Sequence, residues 1–331
     1  MTINDVARTA GVSVATVSKV INQRYGVAQA TSEHVQEVIS TLGYESSLVA
    51  RSLRSHRTNV IGILVAEFEP FSTEILKGVS RAVAGTGYEL LAYSGGGAAG
   101  TEVGWERRSL SRLSGTLIDG AVLVTPTVVQ VHDGVPVVAI DPHAGPSGIP
   151  TVDSDNLGGA VAATEHLLGL GHRRIGFLGG RPDLERSRLR EEGFRAAMER
   201  AGAPVDPALV RVGGYRRETA DRPAHELLQL ADRPTAVFAA NDLMAIATLE
   251  AAADLGIAVP RDLSVIGFDD VPEAALTSPQ LTTVAQPIQQ MGSEAIGLLV
   301  ELMAGREVTT QHLRLPTRLV ERGTCAPVPA P

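Results

Sequence analysis

The chain has 331 residues, 44% hydrophobic and 20% charged, the usage of an ordinary soluble protein, which excludes a disordered, collagen-like or disulfide-stapled chain. Its one cysteine, Cys325, rules out an internal disulfide, and no apolar run approaches the roughly 18 residues of a bilayer span. The net charge of −8 argues against a chain that coats nucleic acid throughout, but six Lys/Arg against four Asp/Glu make residues 1–58 +2 and leave −10 for the rest. A mildly basic head on an acidic body suggests division of labour. The length suggests two or three globular units. The first residues lack the basic and apolar regions of a secretion signal, so the expected compartment is the cytoplasm.

In chain order, Thr2-Ile3-Asn4-Asp5 reads as a capping box with Asp in the place of Glu. Val6 and Ala10 give the helix it opens an inward face, and Gly11 stops it. Ser13 caps a second predicted helix, Val14 to Asn22, whose Val17, Val20 and Ile21 repeat at i, i+3, i+4 as one buried stripe. Val14, Ala15, Ser18, Lys19 and Asn22 remain on its outer side. Thr31-Ser32-Glu33-His34 opens a third helix, with Val35, Val38, Ile39 and Leu42 inward and Gly43 as its end. Two short helices joined by a Gly-containing turn form a helix-turn-helix pattern, whose second helix enters the major groove of DNA. A generic small helical cap fits the same pattern.

Asp5-Val6-Ala7, Ala10-Gly11-Val12-Ser13, Thr16-Val17-Ser18-Lys19-Val20-Ile21-Asn22 and Leu42-Gly43-Tyr44 together resemble the headpiece of the lactose/galactose repressor family. The resemblance implies that Val14, Ala15 and Lys19 face base edges and that Ser13, Ser18, Asn22 and Thr31 hold phosphates. The chemistry agrees: Val14 and Ala15 can touch a thymine methyl, and Lys19 can donate to guanine. The family usually carries Arg at position 19; lysine lacks the bidentate fork, so a looser base preference is expected there. Residues 45–58 are too short to own a core yet contain Leu48, Val49, Ala50 and Leu53. In the family this segment is a hinge helix on the minor groove, and Ala50 and Leu53 match its small residue and its leucine wedge. Glu45-Ser46-Ser47 replaces the family's usual Pro-Asn start, so entry into that helix is expected to differ.

From Val60 the pattern changes to alternating apolar runs and amphipathic stretches. The predicted strands are 60–65, 88–93, 119–125, 135–140, 174–178, 235–239 and 263–267, and the predicted helices 72–85, 156–170, 186–202, 218–230, 242–255 and 288–304. This alternation indicates parallel α/β sheets, and the length exceeds one ordinary core, so two lobes are expected. The expected fold is α/β: a three-helix helix-turn-helix headpiece (1–44), a hinge (45–59) and a two-lobed, doubly wound body (60–331). Gly95-Gly96-Gly97-Ala98-Ala99-Gly100 fits the dinucleotide pattern, with Asp119 downstream. It follows the second strand of the body rather than the first, and Asp119 precedes its strand, so a Gly-rich loop is the better reading. Asp153-Ser154-Asp155 starts like a calcium loop, but Leu157 and Thr164 stand where ligands belong.

The family resemblance continues through Asp155-Asn156, Glu165-His166-Leu167, Gly171-His172-Arg173-Arg174-Ile175, Ala240-Asn241-Asp242, Val265-Ile266-Gly267-Phe268-Asp269-Asp270 and Pro279-Gln280-Leu281-Thr282-Thr283-Val284. It implies a periplasmic-binding-protein-like body crossed three times by the chain, near 155, 285 and 312. It implies too that Arg190 grips a ligand, that Asp269 supplies a carboxylate and Asn241 an amide, and that Tyr215 packs on the ligand ring; Asp155, at the first crossing, is placed with them. Asn241 and Asp269 each follow a predicted strand end, where α/β sheets bind ligands. Arg190 reads equally as a surface arginine in a charged helix, and Asp269 as a turn residue. Glu67-Phe68-Glu69-Pro70-Phe71 departs from the family's usual run after the first strand. Phe68 could stack on a sugar with Glu67 or Glu69 accepting hydroxyls, or it could be core with both glutamates solvated.

The expected function is therefore a DNA-binding transcriptional repressor, released from a palindromic operator by a small-molecule inducer of the mono- or oligosaccharide class. A homodimer is expected, because two-fold symmetry doubles the few base pairs one helix can read and no apolar heptads follow the body. No enzyme activity, cofactor, metal or membrane partner is expected. The alternative is the solute-binding protein of a sugar transporter, which the helix-turn-helix disfavours.

Overall fold

The computed structural model describes residues 2–21, 24–44, 57–95, 103–128, 134–146 and 148–328. It divides into two compact units, Met1–Thr58 with Gly115–Leu117, and Asn59–Ser114 with Ile118–Pro331.

The first unit holds α1 (Ile3–Thr9), α2 (Val14–Ile21) and α3 (Gln29–Leu42). The expected cap is present: the Thr2 amide donates to Asp5 Oδ2 at 2.8 Å. Ser13 Oγ accepts from the Thr16 amide at 3.1 Å, so the serine caps α2. Val6, Ala7, Ala10, Val17, Val20 and Val35 form a small core, with Ile21, Val38, Ile39 and Leu42 packed against it. Gly43 ends α3 in the left-handed region, φ 59°. This helix starts two residues before the expected Thr31. Gln29 and Ala30 are good helix formers, and Gln29 Nε2 donates to Glu33 Oε1 one turn on at 3.0 Å. The hinge assignment, Ala50 and Leu53 included, lies outside the described residues, as does Asn22.

The second unit carries two six-stranded sheets. The first is ordered β11-β5-β4-β3-β1-β2 and is parallel throughout. Its strands are β1 (Val60–Val65), β2 (Glu89–Ser94), β3 (Gly120–Val124), β4 (Val137–Ile140), β5 (Thr151–Ser154) and β11 (His312–Leu315). The second is ordered β12-β10-β9-β8-β6-β7, parallel except for the β10–β12 pair. It contains β6 (Ile175–Gly179), β7 (Val210–Val212), β8 (Ala236–Ala239), β9 (Ser264–Asp269), β10 (Thr282–Ala285) and β12 (Arg318–Val320). The described helices of this unit are α4 (Pro70–Val83), α5 (Trp105–Leu113), α6 (Asn156–Gly169), α7 (Glu185–Arg200), α8 (Arg217–Leu228), α9 (Asp242–Asp254) and α10 (Ile288–Met303). β1, β3, β4, β6, β8 and β9 are buried at every residue because helices cover both sheet faces, which is why their sequences are apolar runs, broken only by the terminal Ser264 and Asp269 of β9.

The chain passes between the sheets after β5 at Asp155, after β10 at Gln286, and between β11 and β12 at residues 316–317. The third crossing falls later than the expected 312. His312–Leu315 is instead an edge strand on β5, fastened by Arg314 Nε and Nη2 on the two oxygens of Asp153, each at 3.1 Å. The strand order reverses beside β1 in the first sheet and beside β6 in the second. Ligands of open α/β sheets bind at such reversals, beyond the carboxyl ends of the strands. Gly95 is a packing residue, since a Cβ there would lie 2.3 Å from Ser109 Oγ; Gly96 to Gly100 lie outside the described residues.

Candidate effector cleft and DNA-reading helix

Between the lobes of the second unit, the ends and following segments of β1, β4, β6, β7, β8, β9 and β10 surround a cleft. The space inside it, partly open to solvent, is about 430 Å³. Glu69, Phe71 and Asp141 line it from the first lobe, and Arg186, Arg190, Tyr215, Asn241 and Asp269 from the second, with Gln286 at a crossing. Thr125, Asp141, Tyr215 and Asp269 hold positive φ of 48–113°, a region costly for any residue but glycine. All four line this cleft or its outer continuation, and strain concentrated there is what a preorganised site stores.

Arg190 and Asp269 meet in the cleft. Arg190 Nη2 lies 3.2 Å from Asp269 Oδ1, Nε donates to Asn156 Oδ1 at 2.8 Å, and Nη1 donates to the Ala240 carbonyl. The guanidinium lies 3.8 Å from the Phe268 ring centroid, a cation–π contact in a nearly dry setting. Gln286 Nε2 donates to Asp269 Oδ1 at 2.6 Å. Burial pushes the Asp269 carboxyl above the ordinary carboxylate range, against the pull of Arg190. Neighbouring Asp242 is pushed further up by burial and by Asp269, while accepting from the Thr283 hydroxyl and the Val271 amide.

Tyr215 is also in place. Its hydroxyl accepts from Ser187 Oγ at 2.9 Å, and a Cβ on Gly180 would strike its ring at 2.2 Å. Asn241 lines the cleft but serves the protein first: Oδ1 caps α9 through the Met244 amide at 3.0 Å, and Nδ2 donates to the Tyr215 carbonyl at 3.1 Å.

Two expected ligand residues are not brought to the cleft. Asp155 is the N-cap of α6, its Oδ1 accepting from the Gly158 amide at 2.9 Å. Phe68 is 48% exposed and does not line the cleft, whereas Phe71, in the first turn of the helix that Pro70 starts, does. Three polar residues of this lining, Asp141, Arg186 and Gln286, are absent from the expected set. Arg186 stands one helical turn before Arg190, and its Nη1 donates to Asp141 Oδ2 at 3.2 Å, an ion pair between lobes. Burial works against the Arg186 charge, yet Asp141 foremost holds its pKa above the usual arginine value. Burial raises Asp141 and Glu69 in turn, opposed by Arg186. Glu67, on the first lobe, pairs with Arg216 on the second.

Half-buried His143 is pushed down to about 3 by burial, with Arg186 and Arg181 adding to the effect. Its unfolded imidazole titrates near 6.5, so below that pH the unfolded chain binds the proton first. The contribution of His143 is thus fully present above pH 6.5 and is lost as pH falls toward 3, by up to about 1.4 kcal/mol per unit. The raised carboxyls have the opposite slope, since the folded state protonates first and their cost eases as pH falls. His143→Gln should therefore flatten the acid limb of stability measured by urea unfolding between pH 6.5 and 4. Parallel curves for variant and parent would remove His143 from the acid response.

In the first unit, Ala15 and Lys19 are exposed on α2, Ser18 is half-buried, and Val14 is partly turned into the core. Ser13 is exposed, and Thr31 is half-buried within the first turn of α3.

The bacterial regulatory protein lacI-family model matches residues 2–47, and the periplasmic binding protein-like domain model matches 164–325. The ribose operon repressor of Escherichia coli (strain K12) is 36% identical over 335 residues, covering 98% of this chain and 99% of its own. The chain belongs to the LacI family of bacterial regulatory proteins. It is a DNA-binding transcriptional regulator, and the transporter alternative falls with the match at residues 2–47. Two solved structures extend the likeness over the whole length. One is the transcriptional regulator CelR–cellobiose complex, 33% identical with a TM-score of 0.72, covering 98% of this chain and 99% of that one. The other is the Lac repressor dimer bound to operator and the anti-inducer ONPF, 25% identical with a TM-score of 0.84 and the same coverage. Among the described residues, no helix is long and apolar enough to cross a membrane.

Proposed function

We propose that this LacI-family regulator is a homodimeric repressor that reads a two-fold operator through α2 and leaves it when a neutral polyhydroxylated effector fills the cleft. The observation that carries the reading is the paired set Arg190–Asp269 and Arg186–Asp141 at the carboxyl ends of the strands. Planar forks beside carboxylates suit adjacent hydroxyls, which both donate and accept. Tyr215 supplies a ring face; Asn241, Gln286 and Glu69 supply further polar groups. Arg186 and Asp141 stand on opposite lobes, so a ligand that takes over their bonds alters the energy of closure. Residues 1–44, 45–59 and 60–331 then act as reader, coupler and sensor, with Ala50 and Leu53 at the minor groove. A coupling of about 1–3 kcal/mol is enough to change occupancy several-fold or more. The ribose and cellobiose in the relatives' names are consistent with the effector class. The test is fluorescence anisotropy on a duplex selected by the protein from a random pool, with a panel of neutral mono- and disaccharides added. At least one sugar is expected to release the duplex; if none alters binding or thermal stability, the effector assignment fails.

On the DNA side, Val14, Ala15 and Lys19 are assigned to base edges and Ser13, Ser18, Asn22 and Thr31 to phosphates. Lys19→Ala should weaken the selected duplex by about 1–3 kcal/mol and relax one symmetric base position. Unchanged affinity and unchanged preference in competition gel shifts would refute the placement of α2 in the groove.

A further inference from the structure

At the edge of the second sheet opposite the cleft, the end of the chain runs beneath the amino ends of β10, β9, β8 and β6, which are neighbours in that order. The Arg322 amide donates to Thr282 Oγ1 and the Gly323 amide to the Gln280 carbonyl, each at 2.9 Å, at the start of β10. Thr324 Oγ1 accepts from the Thr282 amide at 2.9 Å and donates to the Val265 carbonyl at 2.6 Å, while the Val265 amide donates to the Thr324 carbonyl at 2.9 Å. The Ala326 amide donates to Ser264 Oγ, the first residue of β9, and the Val328 amide to the Leu170 carbonyl ahead of β6, each at 3.0 Å. His172 joins these contacts and is 3% exposed. Its Nε2 lies 3.1 Å from the Ala326 carbonyl oxygen and 3.0 Å from Ser264 Oγ, and its Nδ1 lies 2.9 Å from Thr235 Oγ1, just before β8. We propose that residues 322–328 are a strap that opens as one unit on mild acidification, with His172 as its latch.

The bonds fix the form of the ring that the closed strap needs. A carbonyl only accepts, so Nε2 carries the proton toward Ala326, and Nδ1 accepts from the Thr235 hydroxyl. A second proton would bury a cation whose hydrogen-bond partners are all uncharged. The titratable neighbour that bears on the ring, His166 of α6, brings a like charge when protonated. The charged side chains of the flanking segments are committed elsewhere: Arg173 to the Leu168 and His172 carbonyls, Arg174 to Asp206 and Asp232, Arg261 to Asp262 and Arg322 to Asp270. Burial pushes the closed-strap histidine below its ordinary value of 6.5. In an open strap the ring titrates near 6.5, so the open form takes the proton first. The latch therefore holds fully above pH 6.5 and loosens as pH falls below it. Segments held by a few hydrogen bonds open locally, at less cost than the whole domain. Cys325 reports the opening from inside the strap: its thiol donates to the Val265 carbonyl at 3.3 Å, and burial pushes it up to about 12, so it is unreactive while the strap is closed.

The test is the reactivity of Cys325 in the full chain with 4,4′-dithiodipyridine, from about pH 8 to about pH 5. Dividing by the rate of the urea-unfolded chain at each pH removes the thiol's own titration. The resulting protection is expected to be level above pH 6.5 and to fall below it, by up to about tenfold per pH unit. His172→Gln keeps an amide donor and acceptor without a titrating ring, and its protection should be level throughout. Should that variant fold poorly, hydrogen exchange of the parent's Ala326 and Val328 amides, corrected for the intrinsic rate at each pH, gives the same reading. The amides of Ile61 and Ile63 in β1 then serve as the reference for global opening. Parent protection that stays level across the range, or a His172→Gln curve that falls as the parent's does, removes the latch. Strap amides that lose protection only together with those of β1 overturn the strap as a unit of its own.

Discussion

Arg190→Ala lowers the stability of the body by about 3–5 kcal/mol, the cost of removing one partner from a buried charge pair. Asp269 is 6% exposed, and without Arg190 its carboxylate keeps the Gln286 hydrogen bond and the charge of Arg186. Asn156 Oδ1 and the Ala240 carbonyl lose a donor each, and Phe268 loses the cation on its face. In a body of this size the loss reads as a drop of roughly 10 °C in Tm. A residue that only gripped a ligand would leave stability unchanged when removed. The buried bonds of Arg190 make it a keystone of the second lobe as well, so the two effects must be separated. Arg190→Lys does so: it keeps a cation near Asp269, loses the fork, and should lose effector binding with a smaller drop in stability. Differential scanning calorimetry with sugar titration reads both. An Arg190→Ala protein that melts with the parent would show that the pair is not a structural tie.

Much of this was readable from residue patterns, and the misses have physical causes. The long central strands were legible because burial on both faces forces unbroken apolar runs, as in Val60–Val65. The strands passed over are short or polar: Thr151–Ser154, Val210–Val212, Thr282–Ala285, His312–Leu315 and Arg318–Val320. In these, pairing with a neighbour and side-chain bonds such as Arg314 on Asp153 do what apolar patterning does elsewhere. Trp105–Leu113 was passed over too, its apolar face reduced to Trp105, Leu110 and Leu113 among charges. In the cleft, Asn241 and Asp269 followed from the strand-end rule. Asp141 obeys the same rule after the strand predicted at 135–140, but no family motif drew attention to it. Arg186 looked like one charge among many in Glu185–Arg200; only the fold shows that its turn of the helix faces the other lobe. Phe68 and Asp155 show the converse. Residue type suggested a ligand role for Phe68, and the crossing suggested one for Asp155, but Phe68 precedes a proline-started helix outside the lining and Asp155 is committed to an N-cap.

Gly78→Ala should cost about 3 kcal/mol, the upper end of overpacking, although it adds a single methyl. That methyl would stand 1.8 Å from the Gln289 carbonyl oxygen and 2.6 Å from its carbonyl carbon, and backbone atoms cannot turn aside as a side chain does. Helices α4 and α10 would have to separate. Gly292 seats the same contact from the other side, since a methyl there would lie 2.5 Å from the Ile75 carbonyl oxygen. The bonds across the interface, Gln289 Nε2 to Glu74 and Ser293 Oγ to the Gly78 carbonyl at 3.2 Å, would stretch together. Helix α4 begins with Pro70 and Phe71 on the cleft wall, directly after Glu69, so its displacement should weaken effector binding as well. Gly297 lies on α10 too, but it is exposed and a methyl there meets nothing within 4 Å. Gly297→Ala should therefore stabilise by about 0.5–1 kcal/mol, through helix propensity and a less flexible unfolded chain. Urea midpoints of the two variants should move in opposite directions. A Gly78→Ala midpoint at or above the parent's would mean that the two helices do not meet backbone to backbone at this point.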